Sequence, residues 1–258
     1  MVFADALLAR RIEAAEAAIG RGCTESQPGS AILEAAGGVA FFLGPESPLT
    51  HAVGLGLNGP IRAAELDAVE AFFRSRGARV TVDLCPLADS SLLSALAERG
   101  YRPTEFNNVL VKPLAGAEVT LTPRARRAVD GESELWSHTV GHGFFEQAEL
   151  TDDEMNVGRA IFSMPGALCY LTASETGEAA GGGALAVNHG LATLFADSTI
   201  ARFRRQGLHR ELIAARLHEA LAQGCDLAAA SALPGSASQR NYERLGFRVV
   251  YTKVVLAG

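Results

Sequence analysis

Apolar and polar positions along the chain repeat with two periods, one helical and one of alternating residues. Spacing of three or four residues predicts a helix over residues 3–19, which Gly20 and Gly22 are expected to end. The same spacing predicts further helices over residues 61–76, 90–99, 133–145, 152–162, 208–223 and 237–245. Alternation and short apolar runs predict strands over residues 39–43, 51–57, 79–84, 106–112, 119–121, 167–173, 183–187, 191–196, 226–230 and 247–256.

The strands predicted at residues 167–173, 183–187 and 191–196 follow one another without a helix between them. Short turns join them, and the second turn, at residues 188–190, contains a glycine. Loops of this kind predict antiparallel neighbours in one sheet.

The order of predicted elements repeats once along the chain. Residues 60–77 and 207–224 are helical segments of equal length, each followed by a strand and a second helix. The second helices end alike, at Gly100-Tyr101-Arg102 in the first half and at Gly246-Phe247-Arg248 in the second. The offset of about 146 residues predicts a tandem duplication, with lobes at residues 1–115 and 116–258.

One turn stands out by its charge, the segment Arg204-Arg-Gln-Gly-Leu-His209 between a predicted strand and a predicted helix. A helix N-terminus exposes backbone N–H groups at the positive end of the helix dipole, and this suits an anion. Four arginines crowd the turn although the formal net charge of the chain is -6: Arg202, Arg204, Arg205 and Arg210. The turn therefore predicts an anionic partner, and the alternative is a solvated surface cluster.

The matching turn of the first half reads Leu57-Asn-Gly-Pro-Ile-Arg62. Pro60 has no backbone N–H at the place where donors are needed, and the arginine cluster is missing. Only the second copy of the turn is therefore predicted to bind an anion.

The residues around this turn resemble the GNAT superfamily of acetyl-CoA-dependent N-acyltransferases. Arg204-x-x-Gly207-x-His209 is similar to that superfamily's Q/R-x-x-G-x-G/A pyrophosphate loop, with His209 in place of the final small residue. A second similar piece is the segment from Ser238 to Phe247, in which Asn241 and Tyr242 precede a Gly-Phe pair. The resemblance extends over roughly residues 119–258.

The resemblance implies an α+β fold, an α/β/α sandwich around a mixed, mostly antiparallel sheet of the acyl-CoA N-acyltransferase type, in two tandem lobes. It also implies acetyl-CoA as co-substrate, no metal, and a first lobe that is degenerate and structural. The pantetheine arm would run along residues 195–199, and the pyrophosphate would lie on the N–H groups of residues 205–209. The implied cofactor-binding residues are Ala196, Asp197, Ser198, Thr199, Arg204, Arg205, Gln206, Gly207, Leu208, His209, Ser238 and Asn241.

Two residues are candidates for catalysis. Aminolysis of a thioester expels a thiolate, and the resemblance places Tyr242 where a phenol protonates it; the alternative is a tyrosine of the core. Asp197 is the first carboxylate after the strand at residues 191–196, so it is either the general base or a cap of the turn. The predicted function is N-acetyl transfer to the amine of a small molecule or peptide, and the alternative is a non-catalytic acyl-CoA sensor or scaffold.

His138 and His142 lie four residues apart on one helix face, a spacing compatible with a metal pair, but no third ligand stands out. We interpret them, with Trp136 and the residues at 144–146, as the wall of an acceptor pocket, for which ordinary core packing is the alternative. The run of glycines at residues 181–183 predicts a bulge or flexible entry within a strand rather than a phosphate loop.

Composition and charge exclude several classes of protein. The chain has 258 residues, of which 48% are hydrophobic, and its pI near 5.6 argues against a nucleic-acid binder that acts through general electrostatics. The cysteines form no C-x-x-C pair, and no run is long enough to span a membrane. Asp5 interrupts the apolar start, so no export signal is expected. We therefore expect a cytoplasmic monomer or homodimer that binds neither membrane nor nucleic acid.

Overall fold

The computed structural model describes residues 3–117, 119, 124–147 and 149–258. The chain forms two compact units, one from residues 1–109 together with 249–258 and the other from residues 110–248. These units are defined by compactness and not by the sequence repeat. The predicted lobes at residues 1–115 and 116–258 therefore stay a prediction. Of the strand predicted at residues 119–121, residues 120 and 121 lie outside the described residues.

The first unit begins with helix α1, and its elements are α1 (Ala6–Glu25), β1 (Ala31–Ala35), β2 (Gly38–Phe42), β3 (Ala52–Val53), α2 (Ala63–Arg74), β4 (Thr81–Leu84) and α3 (Ser90–Glu98). Strand β5 (Arg102–Pro113) leaves this unit, and strand β11 (Arg248–Ala257), the last of the chain, returns to it. The strands β1, β2 and β3 are antiparallel neighbours, β3 and β4 are parallel, and β4 and β11 are antiparallel.

The second unit holds the remaining elements: β6 (Ala125–Arg127), α4 (Ser133–Phe145), α5 (Asp152–Ser163), β7 (Leu168–Ala173), β8 (Ala179–Asn188), β9 (Leu191–Thr199), α6 (Leu208–Ala222), β10 (Leu227–Ala232) and α7 (Ala237–Arg244). Strands β6 to β9 form an antiparallel series, and β10 adds to β9 in parallel. The antiparallel arrangement predicted for β7, β8 and β9 is confirmed.

Helices cover both faces of the sheet in the second unit. A side chain at Gly182 would lie 2.7 Å from Val140 of α4, whereas one at the next residue, Gly183, would lie 2.7 Å from Arg216 of α6. Neighbouring residues of a strand point to opposite faces, so α4 and α6 lie on opposite sides. The predicted fold class, a mixed and mostly antiparallel sheet between helices, is confirmed.

The pairing of strands β8 and β9 is irregular beside the glycine run at residues 181–183. Gly182 pairs with Ser198, but the next matched pair, Ala184 with Phe195, has shifted register. One residue of β8, Gly183, faces two residues of β9, Ala196 and Asp197, so the bulge lies on β9 and not in the glycine run where it was predicted.

Helix α1 corrects the sequence prediction at both ends. It runs from Ala6 to Glu25, through Gly20 and beyond Gly22, because packing overrides the weak helix propensity of glycine. A side chain at Gly20 would overlap the ring of Phe41, so glycine there permits a close approach to β2. The start lies at Ala6 because the Asp5 carboxylate accepts a hydrogen bond from the Leu8 N–H at 2.8 Å.

The strand predicted at residues 51–57 is mostly wrong, since only Ala52–Val53 is extended. Gly54 and Gly56 have φ values of 71° and 70°, which turn the chain out of the strand conformation.

Strand β1 was not predicted, and it forms a hairpin with β2 across residues 36–37. Strand β6 was also missed because three residues are too few to produce a pattern.

Candidate active site

The arginine-glycine turn leads directly into helix α6. Gly207 is the N-cap and has φ 83°, a conformation that glycine adopts without strain. Glu211 is the residue whose N–H reaches the Gly207 carbonyl, at 3.2 Å, so the N–H groups of the first turn before it have no intrahelical acceptor. Residues 204–207 are exposed. The turn therefore offers uncapped donors to solvent at the positive end of the helix.

Arg124 holds this turn from a distant part of the sequence. It donates from Nη2 to the Gln206 carbonyl at 3.0 Å and from Nε to Glu211 at 3.1 Å, and it also forms an ion pair with Glu211. The pair neutralises an acidic residue in the first turn of α6, where a free carboxylate would repel an incoming anion. Sequence reasoning missed Arg124 because no local pattern connects residues that are 82 positions apart.

The arginines of the turn divide into two groups. Arg204 donates to the Gly143 carbonyl at 3.1 Å and to Glu146 at 2.7 Å, so it fastens the end of α4 to the turn. Arg202 pairs with Glu178. Within the described chain, Arg205 and Arg210 form no ion pair, so they are the cations left to face an anion.

Strands β9 and β10 separate beside this turn. Their parallel pairing ends at Leu194 and Ala230, while β9 continues to Thr199 along its other neighbour, β8. Ala196 has φ 54°, and the register against β8 shifts at this point, so β9 carries a bulge at Ala196–Asp197. Among the residues that the structure describes, the backbone groups of residues 195–199 on the side of β10 thus have no strand partner.

The bulge directs Asp197 into a buried cluster of polar side chains. Arg216 of α6, which is fully buried, donates to one carboxylate oxygen of Asp197, and the Tyr242 hydroxyl of α7 donates to the other. Arg216 also donates to the Ala184 carbonyl at 2.9 Å. A side chain at Gly183 would lie 2.6 Å from Asp197 Oδ1, so this glycine provides the room for the ion pair.

The cluster has defined protonation states near neutral pH. Burial opposes ionisation of Asp197, but the charge of Arg216, the interaction with His209 and the hydrogen bond from Tyr242 together outweigh it and lower the pKa of Asp197 to about 2. Burial, followed by the negative charge of Asp197, raises the pKa of Tyr242 well above its usual value. Asp197 is therefore ionised and Tyr242 keeps its proton.

His209 joins the cluster from the first turn of α6. Its Nδ1 lies 3.1 Å from Nδ2 of Asn241, and its Nε2 lies 3.6 Å from Asp197 Oδ2. Its ring meets the Tyr242 ring edge to face, with centroids 5.6 Å apart. The His209 side chain is 14% exposed and points into the unit.

Ser238 is also expected at the cofactor site. It lies in the first turn of α7, after the N-cap residue Ser236.

The two histidines of α4 face each other, with Nε2 atoms 3.1 Å apart. Burial and the neighbouring His142 lower the pKa of His138. Among the residues that the structure describes, no group of three or more His, Cys, Asp or Glu side chains is arranged to hold a metal ion. Trp136 is fully buried and donates to the Tyr170 carbonyl at 3.0 Å, so it belongs to the core of the unit rather than to a pocket wall.

Over the described residues, no helix has both the length and the apolar character needed to cross a membrane. All four cysteines, Cys23, Cys85, Cys169 and Cys225, are buried.

Comparison with known protein families finds a match, which lies in the second half of the chain. Residues 133–247 match the acetyltransferase (GNAT) family. No curated protein sequence matches the chain.

Solved structures resemble the chain over most of its length. A GCN5-related N-acetyltransferase from Kribbella flavida aligns with a TM-score of 0.72 and 21% identity, over 97% of this chain and 95% of that one. A tandem GNAT protein from the clavulanic acid biosynthesis pathway has a TM-score of 0.61 and 14% identity, over 93% and 86%. A GCN5-related N-acetyltransferase from Sphaerobacter thermophilus has a TM-score of 0.59 and 15% identity, over 89% and 75%. At these identities the likeness concerns the fold.

Proposed function

We propose, from the match of residues 133–247 to the acetyltransferase (GNAT) family, that the chain transfers an acetyl group from acetyl-CoA to an amine. The observation that carries the proposal is the separation of β9 from β10 beside an uncapped helix N-terminus. The separation leaves backbone groups for a peptide-like arm, and the helix end leaves donors for a phosphate.

Acetyl-CoA would be held by backbone groups more than by charged side chains. Its pyrophosphate would accept from the N–H groups of residues 205–209, with Arg205 and Arg210 as the nearby cations. Its pantetheine amides would pair with β9 at residues 195–199, the segment that β10 no longer covers. The residues present fit the group, because residues 204–207 are exposed, the helix N-terminus has no side-chain cap, and Arg205 and Arg210 form no ion pair within the described residues. Arg204 would contribute indirectly, since its guanidinium already fastens the turn to α4.

When bound, the thioester supplies an activated acyl carbon and a thiolate leaving group. The acceptor nitrogen forms the new C–N bond, the C–S bond breaks, and Tyr242 gives its phenolic proton to the sulfur. The raised pKa of Tyr242 supports this role, because the phenol stays protonated and available as a donor near neutral pH.

Asp197 is better suited to positioning than to taking a proton. Its carboxylate has a pKa of about 2 and is engaged by Arg216 and Tyr242, so it is a weak base at neutral pH. We propose that Asp197 and Arg216 hold the Tyr242 hydroxyl, and that the acceptor amine loses its proton to water. The acceptor is a small-molecule or peptide amine.

One observation favours a second candidate, a non-catalytic acyl-CoA sensor. Tyr242 is fully buried, and its proton is already donated to Asp197. If that hydrogen bond persists with ligand bound, the phenol has no proton to offer, and the same turn and separated strands would bind acyl-CoA without turnover.

Calorimetric titration with acetyl-CoA and CoA, followed by turnover with a panel of amines, tests both candidates. The transferase predicts binding, turnover of at least one amine, and a large loss of rate in Tyr242→Phe. Binding without turnover of any amine would establish the sensor instead. Absence of binding to either ligand would overturn both.

A further inference from the structure

The first unit contains a cavity of its own, of about 370 Å³, between α1, the β1–β2 hairpin and the segment that follows β3. Its walls combine apolar side chains, among them Ala17, Val53 and Leu57, with charged ones from α1. A cavity of this size falls within the range of small-molecule sites. None of its lining residues belongs to the site proposed for acetyl-CoA.

Glu13 is a buried carboxylate in the wall of this cavity, with only 2% of its surface exposed. One oxygen, Oε1, accepts the Tyr251 hydroxyl at 3.1 Å and lies 2.9 Å from the Lys253 ammonium. The other oxygen, Oε2, is buried and has no hydrogen-bond partner within the described chain. A buried acceptor without a partner is unfavourable unless another group completes it.

The charges around Glu13 are not balanced. The single ammonium of Lys253 is shared between Glu13 and Glu16, both on α1, and the charge of Asp83 also acts on it. Burial, with a smaller contribution from the charge of Glu16, raises the pKa of Glu13 to about 7, although Lys253 opposes the shift. The cluster therefore lacks one positive charge or one proton.

Arg10 brings an unused cation to the same cavity. Its Nε donates to the Leu57 carbonyl at 3.0 Å, while its two terminal nitrogens have no acceptor among the described residues. Arg10 and Glu13 lie three residues apart on α1, which places them side by side on one helix face. The other lining arginine, Arg21, is already paired with Glu34.

We propose that this cavity binds a small amino acid with an aliphatic side chain. The ammonium group of the ligand pairs with the Glu13 carboxylate, the carboxylate of the ligand takes the two free nitrogens of the Arg10 guanidinium, and its side chain contacts Ala17, Val53 and Leu57. The proposal goes beyond acyl transfer, because it concerns the first unit alone and gives that unit a ligand.

Three matched probes test it by calorimetric titration of the full chain at about pH 8, where Glu13 is ionised. L-leucine carries both charged groups, isopentylamine lacks the carboxylate, and 4-methylpentanoate lacks the ammonium. We expect L-leucine to bind with a Kd of about 1 mM or tighter, and each partial probe at least tenfold more weakly. Absence of binding by L-leucine, or equal binding by 4-methylpentanoate, would overturn the proposal.

Variants on α1 distinguish loss of the binding site from loss of folding stability. Glu13→Gln keeps the shape of the side chain and removes its charge, so L-leucine should bind at least tenfold more weakly. Ala14→Phe places a ring at the exposed rim of the cavity and should block binding without unfolding the unit, which keeps the test decisive if Glu13→Gln does not fold. Glu25→Gln, at an exposed position of the same helix, is the control and should bind as the parent does. Unchanged affinity in Ala14→Phe would contradict the site.

Discussion

Helices α2 and α6 occupy matching places in the two halves of the chain, yet their N-termini differ in what they leave free. In α2, the Arg62 N–H donates to the Glu65 carboxylate at 2.8 Å, so the helix carries its own anion. In α6, Gly207 has no side chain that could cap the helix, and the acidic Glu211 is neutralised by an ion pair with Arg124. One helix end is closed and the other is open to an external anion.

The interiors of the two units also differ. Each buries a tyrosine hydroxyl against a carboxylate, Tyr251 on Glu13 in the first unit and Tyr242 on Asp197 in the second. In the second unit Arg216 balances the acid, whereas in the first unit one lysine serves two glutamates. The same motif of buried phenol and carboxylate is thus neutralised in the second unit and left short of positive charge in the first, a difference that agrees with the different functions that we propose for them.

The largest expected effect is on stability and concerns Arg216. Arg216→Met leaves Asp197 buried without its cation, and we expect the second unit to lose about 3–5 kcal/mol. Urea denaturation measures the loss. The double variant Arg216→Met with Asp197→Asn removes both charges and should recover much of it; an equally unstable double variant would show that packing, not charge, dominates.

Tyr242→Phe tests which of the two buried phenols takes part in turnover. Loss of a general acid should lower the rate of acetyl transfer by about 10²- to 10⁴-fold with little change in acetyl-CoA affinity. Tyr251→Phe is the matched control in the first unit, and its rate should be unchanged. Equal rates in all three proteins would remove Tyr242 from the mechanism.

The two clusters should respond to pH with opposite slopes. Asp197 has a lowered pKa, so its contribution is present near neutral pH and is lost as the pH falls from about 4 to about 2. Glu13 has a raised pKa, so the stability of the first unit is highest below about pH 4.5 and falls, by on the order of 2 kcal/mol, as the pH rises through about 7. Denaturation between pH 5 and 8 measures this second slope. Glu13→Gln should flatten it, and a slope that persists would place its origin elsewhere.

The smallest effect concerns the turns themselves. Arg205→Ala should weaken CoA binding by about 1 kcal/mol, roughly fivefold, at low salt, because it removes one exposed cation near the helix end. Arg62→Ala, at the closed helix end, should leave the affinity unchanged. Calorimetry with CoA compares the two, and equal losses would contradict the assignment of the cofactor to the second lobe alone.

The sequence predicted the elements whose pattern is local and long. Helices α4 and α6 and the hairpin series β7–β9 follow from apolar spacing and turn residues alone. Predictions were wrong where packing overrides the local pattern: Gly20 lies inside α1 because it meets Phe41, and the glycines after β3 turn an apolar run out of the sheet. These corrections depend on partners that are distant in the chain.

The sequence alone predicted an anion-binding turn at residues 204–209, the loss of that pattern at residues 57–62, and Tyr242 as a candidate acid. Proline, glycine and arginine act at their own positions, so their consequences can be read locally. The fold alone shows that Asp197 is paired with Arg216, that Arg124 donates to the turn, and that Glu13 Oε2 has no hydrogen-bond partner within the described residues. The protonation state and the partners of a buried group depend on which charges the fold places around it, and no local spacing specifies them.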